Sequence, residues 1–523
     1  MRKRDWLVLA LIVFAAATHA YLTVDFSLAP AEDAAMLMRY ARHVADGHGI
    51  VWNVGEPPID GATDFLFMIA IAALVKLGIS LELATRALIL SAHALSAGIV
   101  FVAVREIGRA PTLAALASGV YLILGPATAY IGTYFGAPVF ALCAAAAWTC
   151  ALAIANGPTN RALPAAFACF SLLTGLVRPE GVILASLMLV SIVVAAGLKA
   201  SRPAIVWFVA TFATLGLAYF FWRWHYFGHP LPNPFYKKGG GALHFSGLKD
   251  SVFNTVKFTL PLLPLYAIGL FSRATLRRTI AVAIPMVGFA ACFISISSEM
   301  NFAGRFQYVL LPMALMAWPV PLNRIIDYAA SATTPMRRRA ISAAGTIFFF
   351  ASVAYMQVWR GDWAHYPDGR AAMGKMLREH KDKDLRLATS EAGLLPLYSE
   401  WRTLDAWGLN DFTIATHGTI TSDYLSAFDP DLIVFHAYDP PFAEGTSGLP
   451  GWAEMANVLR SYVAQHGFVL AAAFGDSPHD LHYYYVHPRI AQEFGVADRI
   501  RHVAYRWPGN GNLATNFALT EMR

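Results

Sequence analysis

Hydrophobic and polar positions divide the 523-residue chain into two unlike parts. Up to about residue 358, apolar residues come in runs of roughly 15–22, the length that crosses the hydrocarbon of a bilayer. Beyond that point they fall in short runs between charged stretches. The long runs predict eleven membrane spans, at about 5–24, 83–104, 112–127, 138–155, 163–177, 180–198, 204–224, 255–271, 279–297, 307–323 and 339–358. One further run, FLFMIAIAALVKLG at 65–78, has 14 residues, short for a span and long enough for a buried or interfacial helix. The first run follows Arg2, Lys3 and Arg4, as a secretory signal would. Its length, its poor cleavage region and the spans behind it favour a retained span.

Loop charges decide whether 65–78 crosses. If it does not, Arg105 and Arg109, Arg161, Lys199 and Arg202 all share the side of the basic N-terminus. So do Arg273, Arg277 and Arg278, and then Arg324 with Arg337, Arg338 and Arg339. That is the positive-inside bias, with the N-terminus in the cytoplasm. The run is therefore expected to be a juxtamembrane or re-entrant helix. Loops 25–64, 128–137, 178–179, 225–254 and 298–306, and everything after about 360, then share the outer side and can form one mouth.

The tail changes period. LRLATSEAG (385–393), DLIVFHA (431–437), FVLAAAFG (468–475) and LHYYYVHP (481–488) read as strands. GRAAMGKMLREH (369–380) and GWAEMANVLRSYVAQHG (451–467) read as helices. The expected architecture is a polytopic α-helical membrane domain over 1–359, including an outward loop at 25–64, and a soluble α/β domain over 360–523. No glycine-rich phosphate loop opens a helix in the tail, so no cofactor-binding role is expected there.

Composition agrees. The chain is 57% apolar and only 14% charged, where a soluble protein carries about a quarter charged residues. The formal charge of +6 reflects topology-setting loops and does not point to nucleic acid. Cys143, Cys150, Cys169 and Cys292 all fall in apolar runs, so neither a disulfide nor a cysteine metal site is expected.

The candidate chemistry lies in the outer loops. In SLAPAEDAAMLMRYARHVADGHG (27–49), Ser27 and Pro30 can open a helix with Glu32 and Asp33 in its first turn. Met36, Leu37, Tyr40, Ala41 and Val44 form an apolar stripe, leaving Arg39, Arg42, His43 and Asp46 on other faces. This reads as an amphipathic helix against the membrane surface, ending at Gly47-His48-Gly49. Acidic residues in a first turn can simply favour the helix dipole. With Asp60 and Asp64, however, four carboxylates share one loop that begins and ends at the membrane. A carboxylate there could act as general base on a sugar hydroxyl. Glu32, Asp33 and Asp64 could also hold a divalent cation beside a phosphate.

Arg178, Arg305, Lys237 and Lys238, with His229, Asn233 and Tyr236 in a proline-stiffened loop, are suited to an anionic lipid head group. The cations could instead snorkel to ordinary lipid phosphates. Tyr130, Tyr134 and Phe135 read as an interfacial aromatic belt or as a sugar-stacking surface.

Five stretches carry a family resemblance: EDAAMLMRYARHVADGHGIVWNVGEPPIDGATDFLF, LTGLVRPEG, YFGHPLPNPFYKK, GRFQYVLLP and ATSEAGLLPLYSEWRTLDAWGLND. Together they resemble bacterial polyprenyl-phosphate-dependent glycosyltransferases of the GT-C fold. The most similar family is the terminal β-(1→2)-arabinofuranosyltransferases of mycobacterial and corynebacterial cell walls. The resemblance implies a polyprenyl-phosphoryl-sugar donor met at the outer face of the bacterial cytoplasmic membrane. It implies a glycan or glycolipid acceptor, membrane lipid as surroundings, inversion at the anomeric centre, and no certain cofactor. No specific protein partner is inferred.

The family's usual Asp-Asp pair reads Glu32-Asp33 here, and Asp33 matches the second acidic position, which makes it the expected base. The usual Tyr-Thr-Asn-Phe reads Ala62-Thr63-Asp64-Phe65, a departure that leaves donor and acceptor open. Asp64, Arg178, His229, Asn233, Tyr236, Lys237 and Arg305 are the expected substrate-binding residues. The competing readings are a lipid-linked substrate transporter or flippase, and a related enzyme that moves a different group.

Overall fold

A computed structural model describes residues 1–157, 160–271, 273–322, 334–438 and 451–520. The expected basic position Arg324 lies outside them. Among the described residues, eight helices are long and apolar enough to cross a membrane. They are Lys3–Thr23, Leu81–Ile107, Thr112–Thr133, Ala137–Ala155, Leu198–Phe227, Phe245–Leu270, Leu276–Ile296 and Arg339–Val358. Three further apolar helices, Leu163–Val177, Gly181–Ala196 and Leu310–Leu322, occupy the other expected spans but are shorter. The chain is a multi-pass membrane protein.

Helix Phe65–Lys76 has 12 residues, fewer than a span needs. Helix Leu81–Val102 starts at the same end of the bundle where helix Lys3–Thr23 stops. There the Arg86 guanidinium donates to the carbonyls of Phe26 and, at 2.9 Å, Leu28. At the opposite end Asp5 accepts from Thr112 Oγ1 at 3.1 Å and pairs with Arg105 at 3.6 Å. Phe65–Lys76 thus enters and leaves on one side, as the loop charges predicted.

The tail carries a six-stranded sheet. Its strands are β1 (Arg386–Thr389), β2 (Arg402–Asp405), β3 (Leu432–Ala437), β4 (Val469–Ser477), β5 (Asp480–Val486) and β6 (Thr515–Asn516), in the order β2-β1-β3-β5-β4-β6. The β2-β1-β3 half is parallel and the β3-β5-β4-β6 half antiparallel. Side chains alternate across the sheet. In β3, Leu432 and Val434 join a core with Met373, Tyr484 and Tyr505, while Ile433 and Phe435 join one with Trp452 and Leu459. Helices Gly369–Leu377 and Trp452–Gln465 supply those two covers, and both lie where the sequence predicted them. Strand β2 was not foreseen, because its four residues show too short a pattern and pair only at the parallel edge.

Helix Glu32–Ala45 differs from expectation. Its polar faces, which carry Arg39 and His43, are covered as well as its apolar stripe. It is wedged between the membrane helices and the tail, and both residues are buried. Arg39 donates to the carbonyls of Trp52 at 2.9 Å and Trp401 at 3.0 Å, and also to that of Pro396. A guanidinium with five donors is stable in such a place only when carbonyls take them up. Ala392, Leu394, Leu397 and Tyr398 of the tail accordingly pack into the same apolar core as the spans.

Candidate active site

A cavity of about 310 Å³ opens beside the first turn of helix Glu32–Ala45. Its walls come from residues 61–64, 134–137 and 178–180, from Leu231, Pro232, Pro234, Phe235 and Lys238, from Phe293, Ile296 and Ser297, from Arg305 and Phe306, and from Leu409 of the tail. Most of the lining is apolar. The charged members are Asp33, Asp64, Arg178, Glu180, Lys238 and Arg305.

Asp33 Oδ2 lies 2.5 Å from Arg305 Nη2. The carboxylate is 31% exposed, the arginine side chain 8%. Arg305 stacks over the Phe135 ring at 3.9 Å. It ends a tightly coiled loop in which Ser297, Met300, Ala303 and Gly304 all have positive φ. A Cβ on Gly304 would press on Asn254 and Phe258. Non-glycine residues rarely adopt such backbone, and it clusters where a side chain must be aimed.

Also on the lining, Arg178 bonds Glu180 Oε1 at 2.6 Å and pairs with Asp64 Oδ1 at 3.3 Å. Lys238 Nζ is held by a carbonyl, Glu299 O at 3.2 Å, rather than by a carboxylate.

These neighbours set the ionisation. Burial pushes the Asp33 carboxyl up, but Arg305, Lys238 and Arg178 outweigh it, and its pKa lies below the usual value. Burial lifts Asp64 above the ordinary range, with Arg178 opposing and Glu180 adding to the rise. Burial likewise lowers Lys238, Asp33 opposing and Arg305 reinforcing. Asp33 is therefore an anion at neutral pH, in reach of three cations. An incoming phosphate could compete for those cations and free the carboxylate to accept a proton. Asp33 and Asp64 face one space and could share a hard cation.

Glu32 points the other way. Its Oε1 accepts the backbone N–H groups of Gly393 at 2.7 Å and Leu394 at 3.1 Å, and Arg370 lies 3.7 Å from Oε2. Burial raises its pKa, with Arg370 opposing. It fastens the tail and is not a member of a three-carboxylate cation site.

Asp60, grouped with the acidic loop from the sequence, is also outside the cavity lining. It is buried against Arg223, with Nε at 2.7 Å from Oδ2, and its carbonyl accepts from Asn233 N at 2.9 Å. That hydrogen bond anchors the 228–238 loop, and the Asn233 side chain is buried.

The rest of that loop turns to the tail. His229 stacks on Phe412 with ring centroids 3.3 Å apart, and Tyr236 meets the same ring edge-on at 5.7 Å. Lys237 lies over Trp407 at 3.9 Å and donates to the Gly418 carbonyl at 2.6 Å. Of the expected site residues, the cavity gathers Asp33, Asp64, Arg178 and Arg305. Glu32, His229, Tyr236 and Lys237 serve the seam with the tail, and Asn233 is bonded to the Asp60 carbonyl. Lys238, suited to a head group by its sequence position but not among the expected substrate-binding residues, and Glu180 also line the cavity. The short helix Asn233–Lys237 carries the signal for the first, since one helical step turns the next side chain about 100° away.

One family, described as "Domain of unknown function (DUF8728)", matches residues 356–487. No curated protein matches the chain. Among solved structures, ArnT from Cupriavidus metallidurans bound to undecaprenyl phosphate superposes with a TM-score of 0.54 at 13% identity. The match covers 92% of this chain and 98% of that one. The chain has the GT-C membrane fold. An oligosaccharyltransferase from Archaeoglobus fulgidus gives a TM-score of 0.49 at 12% identity, over 92% of this chain and 73% of that one. The GT-C bundle here places its charged cavity where loop 25–64, later loops at the same end of the bundle and the tail domain meet.

Proposed function

We propose that the chain is an inverting membrane glycosyltransferase using a polyprenyl-phosphoryl-sugar donor. The sugar is a pentofuranose such as arabinofuranose, and the acceptor is a hydroxyl of a cell-envelope glycan or glycolipid. The observation that carries this reading is the ionised Asp33 held against Arg305, with Lys238 and Arg178 on the same small cavity. The GT-C fold and the undecaprenyl phosphate bound in ArnT support a lipid-phosphate donor. The pentofuranose rests on the family resemblance of the five stretches alone, and the Ala62-Thr63-Asp64-Phe65 departure leaves the donor sugar to the test.

In this mechanism the polyprenyl chain stays among the spans and the donor phosphate enters the cavity. Arg305 and Lys238 neutralise it, and the Asp33–Arg305 bond gives way. Asp33 takes the proton of the acceptor hydroxyl as that oxygen attacks the anomeric carbon. The new C–O bond forms opposite the breaking bond to phosphate, and the polyprenyl phosphate leaves with the bonding pair. The leaving group is good, so positioning and charge stabilisation supply most of the acceleration. Residues 1–359 carry the chemistry, and 360–523 shape the acceptor side on the outer face of the membrane.

The test offers a panel of synthetic polyprenyl-phosphoryl sugars, with envelope glycans as acceptor, to the protein in nanodiscs. Product anomers are read by NMR. Turnover of one donor with inversion supports the reading. Retention of configuration, or lipid flipping without transfer, overturns it.

A further inference from the structure

A second cluster lies away from the cavity, on the tail sheet. His436 of β3 and His482 of β5 are direct cross-strand partners. Parallel pairing of β1 with β3 sets Thr389 opposite Val434, so Glu391, two residues on, comes level with His436. Three chain segments thus bring these side chains together. A ring nitrogen from each histidine and an oxygen of Glu391 all lie within 4.8 Å of one another.

Their other atoms are already engaged. His436 Nε2 lies 2.5 Å from Asp480 Oδ1, which leaves Nδ1 facing Glu391 Oε1 at 4.0 Å. With Nε2–H donated to Asp480, Nδ1 turns its lone pair toward the Glu391 carboxylate, an arrangement that a cation between them would satisfy. A carboxylate on the far nitrogen is the usual outer partner of a metal-bound histidine. Tyr505 OH, 2.6 Å from His482 Nδ1, fixes the second ring. Arg370 binds Glu391 through Oε2, on the side away from His436, while Ser390 Oγ reaches Oε1 at 3.2 Å. Glu391 and His482 are buried, and His436 keeps 17% of its side chain exposed, which leaves a way in.

We propose that Glu391, His436 and His482 form a binding site for Zn²⁺ or a similar borderline divalent ion. Two imidazoles and one carboxylate suit that class of ion, and a three-ligand set leaves a fourth position for water. The ligand atoms close from their present spacing to about 2.0–2.2 Å from the ion, a contraction that rotation of the partly exposed His436 ring can supply. Arg370 also approaches Glu32, so a bound ion would stiffen the link between the tail sheet and the start of helix Glu32–Ala45. The site does not depend on the transfer mechanism above.

The test uses tag-free, full-length protein in detergent, stripped with a chelator and titrated with Zn²⁺ against a competing dye. The expected result is one equivalent bound, lost in His436→Gln and Glu391→Gln. Asp480→Asn, which keeps all three ligands, should weaken binding about 10–100-fold. Co²⁺ should give wild type the visible absorption of a low-coordinate N/O site, a readout that stands if a ligand variant misfolds. No stoichiometric uptake by wild type, or binding by the folded ligand variants equal to wild type, overturns the proposal.

Discussion

The cavity and the seam beneath the tail meet at one dipeptide. Asp33 faces three cations across a space open to a ligand, and Glu32 faces two backbone N–H groups with no such space. The same chemical group, one residue along, is poised in one place and consumed in the other. What differs is the partner. An arginine can be shared with an incoming phosphate, whereas the amides that begin a helical turn have nowhere else to go. The same division recurs at Lys237 and Lys238, the first over a tail tryptophan and the second on the cavity wall.

Several measurements would break or sharpen this contrast. The largest effect belongs to Asp33. Asp33→Asn should lower kcat about 10²–10⁴-fold, the usual loss for a general base. An equal loss in Glu32→Gln, with the fold intact, would erase the distinction between the two carboxylates.

Next is Arg305→Gln, expected to raise the KM for donor about 10–100-fold, equivalent to 1.5–3 kcal/mol for a bond between charged groups. The same variant should move the acid limb of kcat/KM upward. In wild type the cations hold Asp33 below the usual carboxylate pKa, so its contribution is full at higher pH and fades only as pH falls through that lowered value. Without Arg305 that fading begins at higher pH. A limb that stays in place would detach Asp33 from the rate.

On the seam, Gly393→Ala should lower the melting temperature, because a Cβ there would run into the Glu32 carbonyl. Glu32→Ala should cost about 1–3 kcal/mol by stranding two amides. Differential scanning calorimetry reads both, and turnover at low temperature should persist.

The smallest pair is the lysines. Lys238→Ala should raise the donor KM roughly tenfold, about 1.4 kcal/mol. Lys237→Ala should leave KM alone and cost only about 0.5–1 kcal/mol of stability, the size of one cation–π contact. Reversal of those two results would put the 228–238 loop the wrong way round.

Much of this was legible in the residues. Span lengths follow from bilayer thickness, and the non-crossing of Phe65–Lys76 followed from basic loops alone, because each crossing inverts the side on which every later charge falls. The first turn containing Glu32 and Asp33 was legible from its helix signals, and Asp33, Asp64, Arg178 and Arg305 from their place in polar loops on one side of the spans.

What stayed hidden depends on residues hundreds of positions apart. Nothing local says that Glu32 meets Gly393, that Asp60 meets Arg223, or that Arg39 is buried under Trp401. Strand β2 and the Glu391–His436–His482 row emerge only from strand register.

The most direct test is the affinity of nanodisc-embedded protein for a short-chain polyprenyl phosphate, comparing wild type with Asp33→Asn. Asp33 competes with phosphate for Arg305, so removing its charge should tighten binding while abolishing transfer. Weaker binding in Asp33→Asn would contradict that competition and point instead to a cation bridging Asp33 and the phosphate.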